Sequence, residues 1–485
     1  MSTMLTQEGS SDLNYRTATY SHSNVRYTKV MPTNGVGINA LQSGSSTGPV
    51  EFLTSPNACM NFAKSKISFD IAMTTPATAH NMAVASVNPL SYFSRIVVQL
   101  QSGQILMDCS NCGKLGTATT FLGQNKVAAD SNSKGTQYLS TTVAAGQQAP
   151  FDIVNRADGV TNFYGDTAVS DCGSLTPRMF ASQITGTTAA NASTSYLSFQ
   201  VALGDLLPGL IFGLDKLLYF GSNTISVQFY LAPFDQWGWT AIGNANAAAV
   251  VNIGVAPVSF TAATLSNFQL VLAQESSYRL CQEVIDLATS ESGIEMPIGY
   301  IFNQRTVATG QQQSVQYQLT SGYGNTLRYI VWAPFQLPSA GNAIDKHLAA
   351  FNNGIGVISR SGAATANQPL LSYLDTVDQL AVSNSGFQWN TATAAEHWLA
   401  NSRSFEGSCV QSVNDYTNNF AHICNYTGQV FGQGSDQTTE AGLSLRVPHV
   451  FAVTANYAAS CSVNHYVWVY TQKTLRINAA GVQLI

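Results

Sequence analysis

The stretch SRIVVQLQSGQILMDCSNCGKL, residues 94–115, decides the fold class of this 485-residue chain. Apolar residues alternate with polar ones from Ile96 to Leu100, which is the two-residue period of a strand with one buried face. Ser102-Gly103 interrupts the pattern, and a second alternating run follows it. Two such runs joined by Ser-Gly predict a β-hairpin with a two-residue turn. The residues predicted to face the core are Ile96, Val98, Leu100, Ile105 and Met107.

The same stretch ends in Cys109-x-x-Cys112, the spacing of a zinc half-site or of a redox pair. A structural zinc site needs four ligands, and the sequence holds no second Cys-x-x-Cys and no His-x(3–5)-His. His422-x-Cys424 is the nearest candidate, but its spacing is unlike that of a zinc finger. A redox pair normally begins a helix in a βαβ unit, whereas this pair follows a hairpin. We therefore predict two unpaired thiols, no metal ligands and no cofactor-binding residues.

Composition favours a protein that packs against copies of itself. Charged residues make up only 10% of the chain, the hydrophobic fraction is 45% and the aromatic fraction 10%. Disordered chains are charged and poor in aromatic residues, so disorder is a poor explanation. The net charge of −5 and the scattered Lys and Arg argue against a general nucleic-acid binder. With no visible signal peptide and no apolar run near ~20 residues, we expect a soluble, reduced, intracellularly made chain.

Further alternating runs extend the β pattern along the chain. They begin at Ile67, Ile225, Phe268 and Val315. Residues 113–200 lack strong patterning and are predicted to form long loops. Each half has an early hairpin and late strands, which favours two β-sandwiches in tandem. A short helix is predicted midway through each half, formed in the first by Leu207, Leu210, Ile211, Leu214, Leu217 and Leu218, and in the second by Leu370, Leu371, Leu374, Val377 and Leu380 after Asn367 and Pro369.

A late strand carries Tyr466, Trp468 and Tyr470 on one face and valines on the other. A strand that is apolar on both faces is covered on both. One cover is the core of its own sandwich. The second cover is either another part of this chain or another subunit, and the sequence leaves both open.

No complete catalytic set is visible in the sequence, and we predict no catalytic residues. There is no G-x-S-x-G nucleophile turn and no phosphate-binding loop. Asp375 and Asp378 fall within the second predicted helix, where a solvated face explains them. A β-sandwich hydrolase is therefore a weak alternative. Six of the seven histidines are candidates, and they stand in unrelated contexts, at His80, His347, His397, His422, His449 and His465.

Four segments of the sequence resemble the double jelly-roll major capsid proteins of double-stranded DNA viruses, most closely those of polinton-like viruses and virophages. The first is the hairpin FSRIVVQLQSGQILMDCSNCGKLG (93–116), and the second is LGDLLPGLIFGLDKLLYFGSNTISVQFYLAP (203–233). The third is TLSNFQLVLAQESS (264–277), and the last is HYVWVYTQKTLRINAAGVQLI (465–485). Cys109 and Cys112 depart from the family pattern, which has a polar loop at that point.

The pattern and the resemblance together imply an all-β chain of two tandem eight-stranded jelly-roll β-sandwiches with short helices and long loops. The expected organisation is an extended arm over 1–55, a first jelly roll over 56–280 and a second over 281–485. Three chains would form a pseudo-hexameric capsomer, and capsomers would tile an icosahedral shell of the virion around double-stranded DNA.

The partners that the resemblance implies are two further copies in a homotrimer, neighbouring capsomers, and penton and minor capsid proteins. Sequence-specific nucleic-acid binding is not expected. Two further alternatives stay open at this point. One is a single-jelly-roll capsid protein of an RNA virus with a protruding domain, and the other is a viral or surface glycan-binding β-sandwich.

Overall fold

The computed structural model of the chain is built almost entirely from antiparallel strands, with few short helices. This confirms the predicted all-β class. The residues that it describes are 24–34, 41–42, 48–74, 80–84, 89–123, 194–207, 209–232, 238–242, 262–336, 370–381, 389–390, 396, 399, 422–427 and 442–485.

The first half of the chain, defined here as the residues before Ile294, holds twelve strands among its described residues. They are β1 Val25–Val30, β2 Leu41–Gln42, β3 Val50–Leu53, β4 Cys59–Thr74, β5 His80–Val84, β6 Phe93–Leu100, β7 Ile105–Ser110, β8 Thr194–Ala202, β9 Leu218–Tyr219, β10 Ile225–Leu231, β11 Gly238–Ile242 and β12 Ala262–Glu275. Its helices are α1 Cys112–Gly123, α2 Leu203–Leu206 and α3 Tyr278–Thr289, with 3₁₀ turns at Pro89–Tyr92 and Ile211–Gly213.

The second half, from Ile294 onward, holds nine strands among its described residues. They are β13 Ile294–Leu319, β14 Thr326–Gln336, β15 Leu370–Val377, β16 Leu380–Ala381, β17 Trp389–Asn390, β18 His422–Asn425, β19 Leu443–Ser444, β20 His449–Asn478 and β21 Gly481–Leu484. A 3₁₀ turn at Ser321–Tyr323 links the first two.

Two sheets form the sandwich of the first half. One has the order β1-β12-β4-β8, with β2 on β12 and β9 on β4, and the other has the order β3-β10-β6-β7. Aromatic side chains fill the space between them. The ring of Phe69 in β4 lies 5.6 Å from that of Phe93 in β6, and Phe93 lies 5.1 Å from Phe229 in β10. The alternating apolar residues of facing sheets therefore meet in one core, as in other β-sandwiches.

The hairpin that decides the fold is present as β6 and β7, but its turn differs from the prediction. The Leu100 amide donates to the Gln104 carbonyl at 2.9 Å, so three residues rather than two link the strands. Gly103 takes φ +91°, as the last residue of a three-residue hairpin loop requires. The register then shifts beside Val98, so Leu106 is buried and Ile105 is 38% exposed. The prediction that Ile105 faces the core is wrong.

One long strand organises the second half. β20 pairs with β13 along almost its whole length, from His449 to Ile477, and it also pairs with β14, β15 and β21. β18 and β19 then pair with β14. Both faces of β20 are buried from Val463 to Thr471, which confirms the prediction that this strand is covered on both sides.

The helix predicted over 367–380 is wrong, because Leu370–Val377 is strand β15. The spacing of the leucines fits a helix, and it also fits a strand that pairs alongside β20. A register shift after Leu370 changes which residues point inward. Tyr373 and Asp375 are consequently buried, whereas Leu371 is 38% exposed. Asp375 thus lies in the core instead of on a solvated helix face.

Two other segments differ from their predictions. Cys112–Gly123 form α1, although 113–200 was expected to be loop. Among the described residues of the helix predicted over 207–218, the only helical structure is the 3₁₀ turn Ile211–Gly213, which follows Gly209 at φ +76°. The 277–297 segment, predicted to hold the boundary between the two domains, contains α3, and the boundary itself stays a prediction. Parts of the predicted arm pair with the sheets of the first half, since β1 pairs with β12 and β3 with β10.

Candidate functional site: the contact between the two halves

The two halves contact each other through the aromatic face of β20. Tyr466 and Trp468 stack at 5.6 Å with an angle of 12° between their rings. The Trp468 indole N–H donates to the Ser110 carbonyl at the end of β7, over 3.3 Å. At Trp468 the aromatic face of β20 is therefore covered by the first half of the same chain. This answers the question that the sequence left open between an internal contact and a subunit contact.

The start of α1 completes this contact. Asn111 takes φ +56° as the chain turns from β7 into the helix, and its amide donates to the Asn303 side-chain oxygen in β13 at 2.5 Å. One helical turn on, the Lys114 ammonium lies 4.2 Å from the centre of the Phe335 ring. A cation over an aromatic face is favourable where water is partly excluded. The end of the hairpin and the start of α1 therefore form part of the surface that contacts the second half.

A close backbone approach fixes the spacing of the two halves. A Cβ placed on Gly299 in β13 would overlap the carbonyl oxygen of Gly209, which belongs to the loop between α2 and the 3₁₀ turn. Any residue larger than glycine at this position would push the two segments apart. The Leu-rich loop of the first half therefore rests directly on the first strand of the second.

Cys109 and Cys112 lie beneath this contact as free, fully buried thiols. The Cys112 thiol donates to the Cys109 carbonyl at 3.0 Å. Burial raises the pKa of Cys112 well above that of an ordinary thiol, so it stays protonated. Among the described residues, neither cysteine belongs to a cluster of three or more metal-ligating side chains. This geometry is that of packing residues.

His465 is held as a neutral imidazole in the core of the second half. The Trp332 indole N–H donates to its Nδ1 at 3.3 Å, and its Nε2 lies 2.7 Å from the Gln313 Oε1. Gln313 is fixed in that orientation because its own amide nitrogen donates to the carbonyls of Gly310 and Cys461. Burial lowers the pKa of His465 to about 4.

The remaining candidate residues separate into different environments. Asp378 lies in an exposed turn after β15 and accepts from His449 Nδ1 at 2.6 Å, which lowers the pKa of Asp378 and raises that of His449. His422 lies in the core of the second half with Asp375 and Cys424. His347 and His397 fall outside the described residues, and the side chain of His80 is not described.

None of the helices in the described residues is both long and apolar enough to cross a membrane.

Solved structures of viral capsid proteins have this fold along nearly the whole chain. The Faustovirus major capsid protein aligns with a TM-score of 0.53 at 11% identity, over 96% of this chain and 92% of its own. VP54 of PBCV-1, fitted into a reconstruction of the virophage Sputnik, aligns with 0.52 at 11% identity, over 97% and 98%. The mavirus major capsid protein aligns with 0.50 at 9% identity, over 97% and 93%. The predicted resemblance is confirmed at the level of the fold.

No family model matches the chain, and no curated protein matches its sequence. The likeness therefore lies in the fold, at a sequence identity of about a tenth.

Proposed function

We propose that this chain is the major capsid protein of a double-stranded DNA virus and that it forms the icosahedral shell of the virion. The observation that carries the proposal is the agreement of fold over both halves at once, across nearly all of this chain and of the capsid chains. A single-jelly-roll capsid protein with a protruding domain, or a glycan-binding β-sandwich, would not be expected to agree over both halves. Neither alternative is supported.

The proposed division of the chain is a first jelly roll over 56–280, a second over 281–485, and an N-terminal segment over 1–55. Strand pairing supports it, because every described strand up to Glu275 pairs within the first half and every described strand from Ile294 pairs within the second. The paired strands β1 and β3 would anchor the N-terminal segment to the first jelly roll.

The proposed assembly is a homotrimeric, pseudo-hexameric capsomer with neighbouring capsomers, penton proteins and minor capsid proteins as partners. Low charge supports extensive self-contact, since few charges need to be desolvated when copies pack together. Large apolar side chains are also exposed in the isolated chain, with Tyr278 at 81% and Leu380 at 75%. Such side chains are available for contacts between chains. We propose no enzymatic role.

Light scattering on the eluting peak of a size-exclusion column tests the assembly. A trimer has a mass of about 155 kDa, three times the 51.7 kDa of one chain. Negative-stain images of that peak should show a three-fold tower on a hexagonal base. A folded species that stays at 51.7 kDa under all salt and concentration conditions would contradict the proposal.

A further inference from the structure

A compact polar cluster lies inside the second half, away from the contact between the halves. Asp375 comes from β15, while His422 and Cys424 come from β18, where the alternation of the strand places them on one face. All three side chains are buried, Asp375 completely. The carboxylate, imidazole and thiol ligand atoms all lie within 4.8 Å of one another.

Two of the three separations in this cluster fit the ligand spacing of a tetrahedral metal site better than that of a hydrogen-bonded ion pair. His422 Nε2 lies 3.4 Å from Asp375 Oδ2, and Cys424 Sγ lies 3.3 Å from the same oxygen. Charge-assisted N–H···O bonds are shorter, at about 2.7–2.9 Å. Ligand atoms around a tetrahedral zinc ion, bonded at ~2.0–2.3 Å, lie about 3.3–3.5 Å apart.

An unpaired polar atom of the cluster points to a missing partner. Asp375 Oδ1 is buried and has no hydrogen-bond partner among the described residues. A buried carboxylate with an open oxygen is costly unless a cation or donor satisfies it.

Charge also favours a divalent ion. The described partners of Asp375 are an imidazole and a thiol, and neither carries a fixed positive charge. A carboxylate, a thiolate and Zn²⁺ together are neutral, which suits a low-dielectric core. Binding would form a Zn–S bond and release the thiol proton to solvent.

A second shell for the imidazole is already in place. The Tyr373 hydroxyl lies 3.1 Å from His422 Nδ1, so Nδ1–H can donate to it and leave the Nε2 lone pair for a metal. The Tyr373 ring packs against Trp332 at 5.2 Å, which holds the hydroxyl in position.

We propose that Asp375, His422 and Cys424 form a Zn²⁺ site in the core of the second half, with a water as the fourth ligand. The ion would tie β15 to β18, two strands that do not pair with each other. Its role is structural, because the site is closed to solvent. The sequence did not predict it, since it supplied His422-x-Cys424 without the carboxylate that completes the set.

Metal analysis of the full chain tests this proposal. Protein produced with added zinc and dialysed against metal-free buffer should retain about one zinc per chain by mass spectrometry. Cys424→Ser and His422→Gln should lose it. Cys461→Ser is the matched control, because this half-buried thiol of the same half lies outside the cluster, and it should retain the zinc.

Cobalt substitution provides a readout that does not depend on variants folding. Wild-type protein loaded with Co²⁺ should show a thiolate-to-cobalt charge-transfer band and the visible absorption of a tetrahedral site. Asp375→Asn keeps the size of the side chain and should weaken both. Wild-type protein that takes up neither metal, or Cys424→Ser protein that retains the zinc, would overturn the proposal. Both measurements are made on soluble protein, so their outcome is separate from that of the capsid assembly test.

Discussion

Acid should destabilise the second half through His465, and replacement of this residue should remove that effect. Its Nδ1 accepts a hydrogen bond from the Trp332 indole. A second proton on the ring would place an N–H opposite that N–H donor, inside a core that excludes water. The native state therefore resists protonation, and the pKa of His465 falls from 6.5 to about 4.

The sign and size of the effect follow from this difference in pKa. Between pH 6.5 and about 4 the unfolded chain binds a proton at His465 and the native chain does not, so stability falls as the pH falls. The full difference corresponds to about 3 kcal/mol, at about 1.4 kcal/mol for each pH unit. About 2 kcal/mol of it is lost by about pH 5, before most carboxylates titrate.

Urea unfolding at about pH 7.5 and about pH 5 measures this loss, with His465→Gln as the variant. Glutamine keeps an amide that can donate to Gln313 but does not ionise. The variant starts less stable and should lose about 2 kcal/mol less than wild type between the two pH values. His449→Gln is the matched control. The raised pKa of His449 gives stability that is present below about pH 6.5 and lost as the pH rises, so this control should become more sensitive to acid.

A wild-type protein and His465→Gln variant with the same dependence on pH would refute the reasoning. Such a result would mean that the imidazole is solvated or charged in the native state. It would also contradict the hydrogen-bond assignment that makes Trp332 the donor.

Other expected outcomes concern the contact between the halves. Gly299→Ala should lower stability by about 3 kcal/mol in urea unfolding, because its Cβ overlaps the Gly209 carbonyl, whereas Gly322→Ala, with only ordinary contacts, should not. Equal stability of the two variants would show that the halves are not closely apposed. Trp468→Phe keeps an aromatic ring at this position but loses the N–H donor to the first half, and should cost about 1–2 kcal/mol by the same measurement. Cys112 should resist thiol reagents in the native protein and react in urea, since it is fully buried, and rapid native labelling would count against this packing.

The fold class follows from the sequence because strand alternation is a local signal. Val98 and Met107 face the core as their patterns predict, and they are paired partners in the hairpin. The prediction that Ile105 faces the core is wrong because a register shift depends on how two strands pair, and the pattern of one strand does not contain that information. The sequence does not predict α1, because CGKLGTATTFLG combines two early glycines with threonines, which weaken a helical pattern.

The sequence does not predict the cluster of Asp375, His422 and Cys424, because the segment around Asp375 fits both the period of a helix and that of a strand. Leu370, Leu374 and Val377 fit the spacing of a helix, and a helix would place Asp375 on a solvated face. In the structure, pairing with β20 holds the segment extended, and Asp375 lies opposite Val453. Neither that pairing nor the approach of β15 to β18 is local in sequence, so spacing alone could not bring the three side chains together.

The position of the central strands along the chain has a consequence for synthesis on the ribosome. In each half the strand that joins the others comes late: β12 follows β1, β2 and β4, and β20 follows β13, β14 and β15. Ile294 pairs with Ile477, so it has no strand partner until Ile477 has been synthesised. During that interval the earlier strands carry unpaired edges, which neighbouring nascent chains on the same messenger RNA can also join. The yield of correctly folded chains therefore depends on whether synthesis of a chain finishes before its unpaired strands pair with another copy.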